Sequence, residues 1–390
     1  MVRLQRAEAA ASVAHGVSVS RLVVSEFRSF ASLRLITDSR PVVLTGPNGA
    51  GKTNLLEALS FLSPGRGLRN AQLRDVDREG ARGPGRWAVA ASLDTPLGPV
   101  EVGTGPSAED GRERRVVKLD GRVVRGQAAL AEVVSVTWLT PVMDRLFVEG
   151  AAGRRRFVDR LVFGFDPGHA KRLAAYERAL RERARLLHGA AGEPAWLRAL
   201  EGTMAESGVA IAAARREALA RLEHALKDGV GPFPGARLAM AGSVDAWLGE
   251  MPAVEAERRL METLEASRAE DAEGGGAGQG PHKSDLLVRH AATGRPAEQC
   301  STGEQKALLL VILLANARLQ TVRRRSPPLL LLDEVAAHLD RAHRDALFEE
   351  ISALGAQAWL TGTDRFLFAG FEGGAQFFTM EEGRVMGEVA

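Results

Sequence analysis

"GPNGAGKT", residues 46–53, is the stretch that decides the fold of this chain. It lies between a short predicted strand, "RPVVLTG", and a predicted helix from Lys52 to about Leu62, the context that a phosphate-binding loop requires. Its glycines let backbone N–H groups surround phosphate oxygens, while Lys52 reaches the β/γ-phosphates and the Thr53 hydroxyl ligates Mg²⁺. The residues expected to bind ATP are Gly46, Pro47, Asn48, Gly49, Ala50, Gly51, Lys52 and Thr53.

The acidic pair that ends "LLLLDE" is the expected second half of such a site. An apolar strand would deliver Asp333 beside the metal, and Glu334, one residue further on, would polarise the attacking water as general base. The same pair could simply end a buried strand. Beside a phosphate-binding loop, the sequence favours the catalytic interpretation, with Lys52 and Glu334 as the catalytic residues.

The run "STGEQ" places small polar residues directly before a strongly apolar helix. A capped core helix explains Ser301 and Glu304 as a capping box but leaves Gly303 and Gln305 unexplained. The run fits the S-x-G-x-Q signature of ABC-type ATPases, in which Ser301, Gly303 and Gln305 would meet the γ-phosphate of a nucleotide bound by a second copy. "AAHLD" follows at the spacing of the ABC-type D-loop, which makes Asp340 a candidate residue of the dimer seam.

Composition limits the class of protein. The chain has 390 residues, of which 45% are hydrophobic and 26% charged, enough for two domains or for one with a large insertion. Its net charge is only +2, so any nucleic-acid surface must come from local charge asymmetry. The single cysteine, Cys300, excludes an internal disulfide. No apolar run reaches the length of a membrane span, and we expect a cytoplasmic protein without a membrane partner.

Hydrophobic periodicity divides the chain into an α/β core and a helical insertion. Strands are expected over 19–45 and a meander over 87–136, with Asp120-Gly121 as a hairpin turn. Helices are expected from the "KRLAAYERAL" run to about residue 270, and then a flexible linker, Gly274–Gly280. The predicted domains are a flexible N-terminal extension (1–18), the first half of an ATPase lobe (19–140), a helical arm (141–273), a linker and return segment (274–299) and the second half of the lobe (300–390).

Several runs together resemble the RecF family, in the SMC-like branch of the ABC ATPases. They are "VSRLVVSEFRSF", "GPNGAGKTNLLEAL", "SPGRGLRNA", "GRRRFVDRL" and "GPHKSDLLV", and the likeness extends from about Val19 to the C-terminus. The resemblance implies an α/β fold, a P-loop ABC/SMC-like ATPase head with an inserted helical, short coiled-coil-like arm domain. It also implies head-to-tail homodimers formed with ATP and Mg²⁺, and slow, DNA-stimulated hydrolysis that controls DNA binding. The implied role is recombinational gap repair with RecR- and RecO-like mediators and RecA.

The resemblance also concerns individual residues. Arg28 in "EFRSF" matches an arginine that SMC-like heads place near the nucleotide. His282, Lys283 and Asp285 in "GPHKSDL" match an element next to the ATPase core, without a role that the sequence can assign. Two features depart from the wider ABC pattern: no glutamine follows the strand "VVSVTWLTP", and Thr363 stands where ABC transporters have a histidine.

Local charge indicates duplex DNA as a partner. Residues 154–185 contain ten Lys or Arg and four acids, a net charge of +6, whereas residues 251–273 carry a net charge of −4. Aromatic residues make up only 5%, which disfavours stacking on single strands, so we expect phosphate contacts to duplex DNA. The resemblance to the RecF family implies that this duplex includes single-strand/double-strand junctions. The candidate DNA-binding residues are Arg66, Arg69, Arg154, Arg155 and Arg156.

Two other functions stay open on sequence grounds. An ABC transporter energy subunit would need a membrane partner together with the glutamine and histidine that are missing here. A nucleotide-dependent scaffold would bind ATP with negligible turnover. The presence of Glu334 does not exclude such a scaffold, because turnover depends on the geometry around this residue.

Overall fold

The computed structural model describes residues 16–80, 86–109, 112–188 and 193–388, so the predicted N-terminal extension lies almost wholly outside the described residues. The strands in these ranges are β1 (Ser18–Phe27), β2 (Phe30–Ile36), β3 (Val42–Thr45), β4 (Ala88–Thr95), β5 (Gly98–Glu109), β6 (Arg112–Leu119), β7 (Arg122–Val124), β8 (Val136–Leu139), β9 (Ala236–Ala241), β10 (Asp285–His290), β11 (Leu329–Leu332), β12 (Ala358–Gly362), β13 (Gln376–Glu381) and β14 (Arg384–Glu388). The helices are α1 (Lys52–Ser60), α2 (Ala128–Val133), α3 (Ala151–Phe163), α4 (His169–His188), α5 (Pro194–Ala225), α6 (Ser243–Glu250), α7 (Ala253–Ala266), α8 (Arg268–Gly274), α9 (Thr302–Arg324) and α10 (Arg341–Leu354). None of these helices is long and apolar enough to cross a lipid bilayer.

The described chain divides into two compact units. The first unit contains the residues up to Asp144, the short segment Val230–Phe233 and everything from Leu309 onward. The second unit contains Arg145–Gly229 and Pro234–Leu308. The return segment that the sequence assigned to a separate linker, and the start of α9, therefore belong to the second unit.

The sheet that carries the predicted nucleotide-binding residues lies in the first unit and has the strand order β14-β13-β3-β12-β11-β8. The strands from β13 to β8 are parallel, and β14 pairs antiparallel with β13. Every residue of β3 and β11 is buried, which explains why "VVLT" and "LLLL" do not alternate with polar residues. Because neighbouring strands are parallel, the loops after β3, β11 and β12 leave the same edge of the sheet.

The other sheet of the first unit is antiparallel, in the order β2-β1-β4-β5-β6-β7, and confirms the predicted meander. Asp120 and Gly121 have φ angles of 48° and 78°, and a type I′ hairpin turn requires positive φ at both positions. The meander predicted over 87–136 ends earlier, at Val124, and α2 begins at Ala128. This short helix follows directly on β7, and its sequence was too short to show a helical period.

The second unit is mainly helical, as expected for the insertion. Its core buries Tyr176, Met204, Val209 and Leu260 from α4, α5 and α7. The single helix predicted over residues 253–270 is in fact two helices, α7 and α8, which meet at Ser267. The antiparallel pair β9 and β10 was not predicted.

The glycine-rich segment "GGGAGQG" contradicts its prediction as a flexible linker that cannot pack. Ala277 is 3% exposed within the core of the second unit. The N–H groups of Gly276 and Gly278 donate to the carbonyl and the carboxylate of Asp271, both at 3.0 Å. Gly280 has a φ of 134°, and a Cβ there would lie 2.2 Å from the Tyr176 hydroxyl. Here the glycines permit close approach and unusual backbone angles instead of flexibility.

Candidate nucleotide-binding site

The loop of residues 46–53 connects β3 to α1, as the sequence predicts. Gly46 has a φ of 142°, and a Cβ at this position would lie 2.2 Å from the carbonyl oxygen of Met380. Gly51 caps α1 in a left-handed conformation, with a φ of 100°, and contributes no side-chain hydrogen bond to the helix. The N-terminal N–H groups of α1 are thus available to an anion.

Lys52 folds back over this loop. Its Nζ donates to the carbonyl oxygens of Gly46 at 2.7 Å and Pro47 at 2.9 Å, and the residue is 5% exposed. Burial lowers the pKa of Lys52, and the negative charges of Glu334 and Asp333 act in the opposite direction. The ammonium group therefore occupies the concave side of the loop, where phosphate oxygens could replace the two carbonyls as its partners.

Asp333 lies where β11 ends and is held by two threonine hydroxyls. Thr53 Oγ1 donates to its carboxylate at 3.0 Å, and Thr361 Oγ1 donates at 2.7 Å. Burial raises the pKa of Asp333, and these hydrogen bonds oppose the shift. Two adjacent ligands of an octahedral Mg²⁺ at about 2.1 Å lie about 3 Å apart. The spacing of the Thr53 and Asp333 oxygens therefore fits the predicted metal ligands.

Glu334 follows with a left-handed backbone, at a φ of 50°. Its N–H donates to Thr361 Oγ1 at 2.8 Å, so one hydroxyl on β12 fixes both acidic residues. Glu334 lines an open cleft, and the other lining residues are Asn48, Gly49, Gly51, Lys52, Thr53, Asn54 and Arg69. The structure thus brings the predicted catalytic, metal-binding and phosphate-binding residues of the first unit to one place.

Arg28 and Arg69 meet on a buried glutamate. Glu57, on α1, is 0% exposed and accepts two hydrogen bonds from Arg28, at 2.7 and 2.9 Å, and one from Arg69, at 2.6 Å. Arg69 also donates to Asn54 Oδ1 at 2.8 Å. The sequence had assigned Arg28 to ATP and Arg69 to DNA, whereas the structure attaches both to the helix that follows the phosphate-binding loop.

The predicted signature starts α9 and lies in the second unit. Ser301 and Glu304 form a reciprocal capping box: Glu304 N donates to Ser301 Oγ at 3.3 Å, and Ser301 N donates to Glu304 Oε2 at 2.7 Å. Gln305 is 7% exposed and donates to the Cys300 carbonyl at 2.9 Å, so it is a structural residue within its own chain. Gly303 differs from these, because a Cβ there would meet no described atom within 4 Å.

Asp340, the predicted D-loop residue, caps α10. Its carboxylate accepts from the backbone N of His343 at 2.9 Å and lies 2.9 Å from His343 Nδ1. The His343 ring in turn makes an edge-on contact with Phe233, at 5.1 Å between centroids. The exposed carboxylate therefore has a local capping role, and its place in a dimer seam stays a prediction.

The candidate DNA-binding arginines differ in how free they are. The Arg154 side chain is only 13% exposed and forms a salt bridge with Asp285 at 2.7 Å. It is therefore part of the internal structure of the second unit and not an exposed cation. Arg155 donates to the Ser284 carbonyl at 2.8 Å. Arg66 and Arg156 are exposed. The assignment of Arg154 to DNA is therefore not supported.

Three residues of the first unit were missed by sequence reasoning: Glu57, Thr361 and Arg115. A signal existed for the first two, because each is a polar residue within an apolar run, "LLEALSFL" and "AWLTG". Arg115 had no such signal, since "RERRVV" contains several arginines and nothing in the run distinguishes this one.

Arg115 fixes the loop that follows α1. Its guanidinium donates to the carbonyls of Phe61, Ser63 at 3.1 Å and Gly65 at 2.9 Å, and lies 5.0 Å from the centre of the Phe61 ring. Burial lowers the pKa of Arg115 to about 9, which leaves it charged at neutral pH. This cation thereby satisfies carbonyls at the negative end of the helix and holds the loop that carries Arg66.

Replacing Arg115 by Met is expected to reduce the free energy of unfolding by about 2–4 kcal/mol, because the carbonyls of Phe61, Ser63 and Gly65 together lose a charged donor. Urea unfolding of Arg115→Met measures this loss, and Arg115→Lys should recover part of it. Arg114→Met is the matched control, since Arg114 is exposed. Equal destabilisation by the two Met variants would contradict the bracing role.

Comparison with known proteins shows the family of this chain. Residues 18–372 match the RecF/RecN/SMC N-terminal domain family. The chain is 49% identical over 370 residues to the DNA replication and repair protein RecF of Mesorhizobium japonicum, covering 94% of this chain and 97% of that protein. It is 48% identical over 378 residues to RecF of Rhizobium meliloti, covering 96% and 100%.

Solved structures agree on the fold. The structure of the recombination mediator protein RecF with ATP superposes with a TM-score of 0.82 at 21% identity, covering 96% of this chain and 98% of that one. The Smc head domain of Pyrococcus furiosus superposes with a TM-score of 0.54 at 15% identity, covering 96% of each chain. The full-length match to RecF proteins also removes the transporter-subunit interpretation. The chain belongs to the RecF/RecN/SMC N-terminal domain family, and within it to the RecF proteins of DNA replication and repair.

Proposed function

We propose that this protein is an ATP-hydrolysing, DNA-binding switch of recombinational gap repair. The observation that carries the proposal is the convergence of Lys52, Thr53 and Glu334 on one cleft, with Asp333 hydrogen-bonded to Thr53. ATP would bind to residues 46–53, and Thr53 with Asp333 would hold Mg²⁺, which neutralises phosphate charge when bound. A related RecF has been solved with ATP, and this supports the same ligand here.

The residues of this chain have separable tasks in the proposed reaction. The loop N–H groups and Lys52 would bind and orient the phosphates, with Lys52 leaving its two carbonyl partners. Glu334 would accept a proton from the attacking water. Thr361 would keep Glu334 and Asp333 in register through its two hydrogen bonds. Turnover is proposed to be slow, so that ATP hydrolysis sets how long the protein stays bound to DNA.

Two copies would close head-to-tail, with the signature of one facing the nucleotide of the other. Gly303 supports this arrangement, because the space beside its Cα is open and nothing within the described chain requires glycine there. Ser301 is exposed beside it at the N-terminus of α9, whose N–H groups favour an anion. The capping box explains Ser301 and Glu304 but gives no reason for Gly303.

The names of the relatives support the proposed DNA and protein partners. These relatives carry the name DNA replication and repair protein, and a solved neighbour is described as a mediator of the RecFOR pathway. We extend to this chain duplex DNA with single-strand junctions, RecR- and RecO-like mediators, and loading of RecA in the cytoplasm. Arg66, Arg155 and Arg156 are the proposed phosphate contacts.

The mass of the protein in solution, with and without ATP and Mg²⁺, tests this function. The wild type should dimerise only with ATP, and Lys52→Ala and Ser301→Arg should both remain monomeric. Gly303→Glu should also remain monomeric, although it should not harm the chain itself. Glutamate is a better helix former than glycine, its charge suits the first turn of α9, and the site has room for it.

The variants separate folding from assembly. Gly303→Glu should bind ATP as a monomer and unfold no earlier than the wild type. A wild type that stays monomeric while binding ATP would contradict the dimer and leave the start of α9 as a capped core helix only. A Gly303→Glu protein that dimerises normally would remove the signature from the seam.

A further inference from the structure

The segment Pro281–Asp285, "PHKSD", is held in place by side chains from four helices of the second unit. Arg215 on α5 donates to the Pro281 carbonyl at 2.7 Å, and Arg155 on α3 donates to the Ser284 carbonyl at 2.8 Å. The other ties are Ser284 Oγ to Asp245 on α6, Asp285 to Arg154 on α3, and His282 to Tyr176 on α4. An ordinary surface loop does not need so many side-chain partners.

The histidine of this segment is a structural residue. His282 Nε2 lies 2.9 Å from the Ala277 carbonyl, which can only accept, so this nitrogen carries the proton. Nδ1 therefore accepts from the Tyr176 hydroxyl, at 2.6 Å. Burial lowers the pKa of His282, which keeps the ring neutral in this position. The imidazole is fully used within the chain and does not face a ligand.

The structure describes all five residues of Pro281–Asp285, and of these only Lys283 has an exposed side chain. Arg155 donates to the carbonyl of Ser284, the residue after Lys283. Arg156, which follows Arg155 on α3, is exposed. Burial is the main cause that lowers the pKa of Arg155, and the positive charges of Arg215 and Arg156 lower it further. Arg154 and Arg215 pair with Asp285 and Asp159, whereas Arg155 donates to a carbonyl, so among the described residues no carboxylate is bonded to its positive charge.

We propose that Lys283 is a phosphate contact for duplex DNA, presented on a pre-organised loop that is bonded to α3, the helix that carries Arg156. The inference rests on the proposed DNA-binding function and adds to it a residue outside the arginine-rich helices. A lysine on a rigid loop loses little backbone freedom on binding, which suits contact with a phosphodiester backbone. Base stacking is not part of this contact, since no aromatic side chain is exposed in the segment.

The test measures the affinity for a short labelled duplex, with ATP and Mg²⁺, over a range of salt concentrations. Lys283→Ala should weaken binding several-fold at low salt and reduce the slope of log affinity against log salt by about 0.9, the amount expected for one lost phosphate contact. Lys283→Arg should retain the wild-type slope. Lys118→Ala, which removes an exposed lysine of the first unit, is the matched control and should also retain it.

Tyr176→Phe examines the pre-organised loop separately, because it removes only the hydroxyl that holds His282. It should weaken DNA binding while leaving the slope unchanged, since Lys283 still reaches the phosphate. A Lys283→Ala protein with wild-type affinity and slope would overturn the inference and assign the positive surface to an acidic protein partner. A wild type that binds ATP but not duplex DNA would overturn the proposed DNA-binding function as well. These two failures are therefore distinguishable.

Discussion

Glu334→Gln should bind ATP normally but hydrolyse it at least about 100-fold more slowly than the wild type, because general-base catalysis typically contributes 10²–10⁴-fold. Glutamine has nearly the same shape but cannot accept the proton from water. The backbone at Glu334 already has a φ of 50°, and glutamine meets the same conformational cost there. The hydrogen bond from its N–H to Thr361 also remains. The change therefore removes the base and little else.

The expected readouts are steady-state turnover and solution mass. With hydrolysis blocked, the variant should accumulate as the ATP-bound dimer at nucleotide concentrations where the wild type cycles back to monomer. Glu349→Gln, an exposed position on α10, is the matched control and should behave as the wild type. If wild type and Glu334→Gln hydrolyse ATP at the same negligible rate, the protein is the nucleotide-dependent scaffold and not an ATPase.

The sequence predicted best the two short motifs whose residues both form a local backbone structure and take part in nucleotide binding. "GPNGAGKT" and "LLLLDE" specify their own backbone, since the glycines permit positive φ and the apolar runs form fully buried strands. Parallel strands then bring the two motifs to one edge of the sheet, which could also be expected in advance. These parts of the fold and site could be predicted because each depends on contiguous residues.

The missed parts depend on residues far apart in the chain. The glycines near Ala277 indicated flexibility by composition, but Asp271 and Tyr176 turn them into a packed segment. Glu57 is buried only because Arg28 and Arg69, from two other segments, supply its partners. A polar residue within an apolar run indicates that Glu57 is special, but single-sequence patterns contain no information about which distant residues pair with it.

The acidic residue before Glu334 gives the second large effect. Asp333→Asn is expected to lose roughly 100-fold in turnover, equivalent to about 3 kcal/mol, because its carboxylate is the proposed anchor for Mg²⁺. Asparagine keeps one oxygen to accept from Thr53 or Thr361, at the same distance from the main chain. The loss should be accompanied by a higher Mg²⁺ requirement, measured as the concentration that gives half-maximal turnover.

The unfolding temperature of Asp333→Asn separates a loss of metal binding from misfolding. Burial raises the pKa of Asp333, so its charged form is disfavoured by folding, and the neutral asparagine should relieve that cost. Without nucleotide and metal, Asp333→Asn should therefore unfold at the same temperature as the wild type or higher. Asp364→Asn is the control, because the exposed Asp364 caps the turn after β12, where asparagine caps equally well. Full turnover by Asp333→Asn at the wild-type Mg²⁺ requirement would exclude Asp333 as a metal ligand, and the metal would then depend on Thr53 and the nucleotide alone.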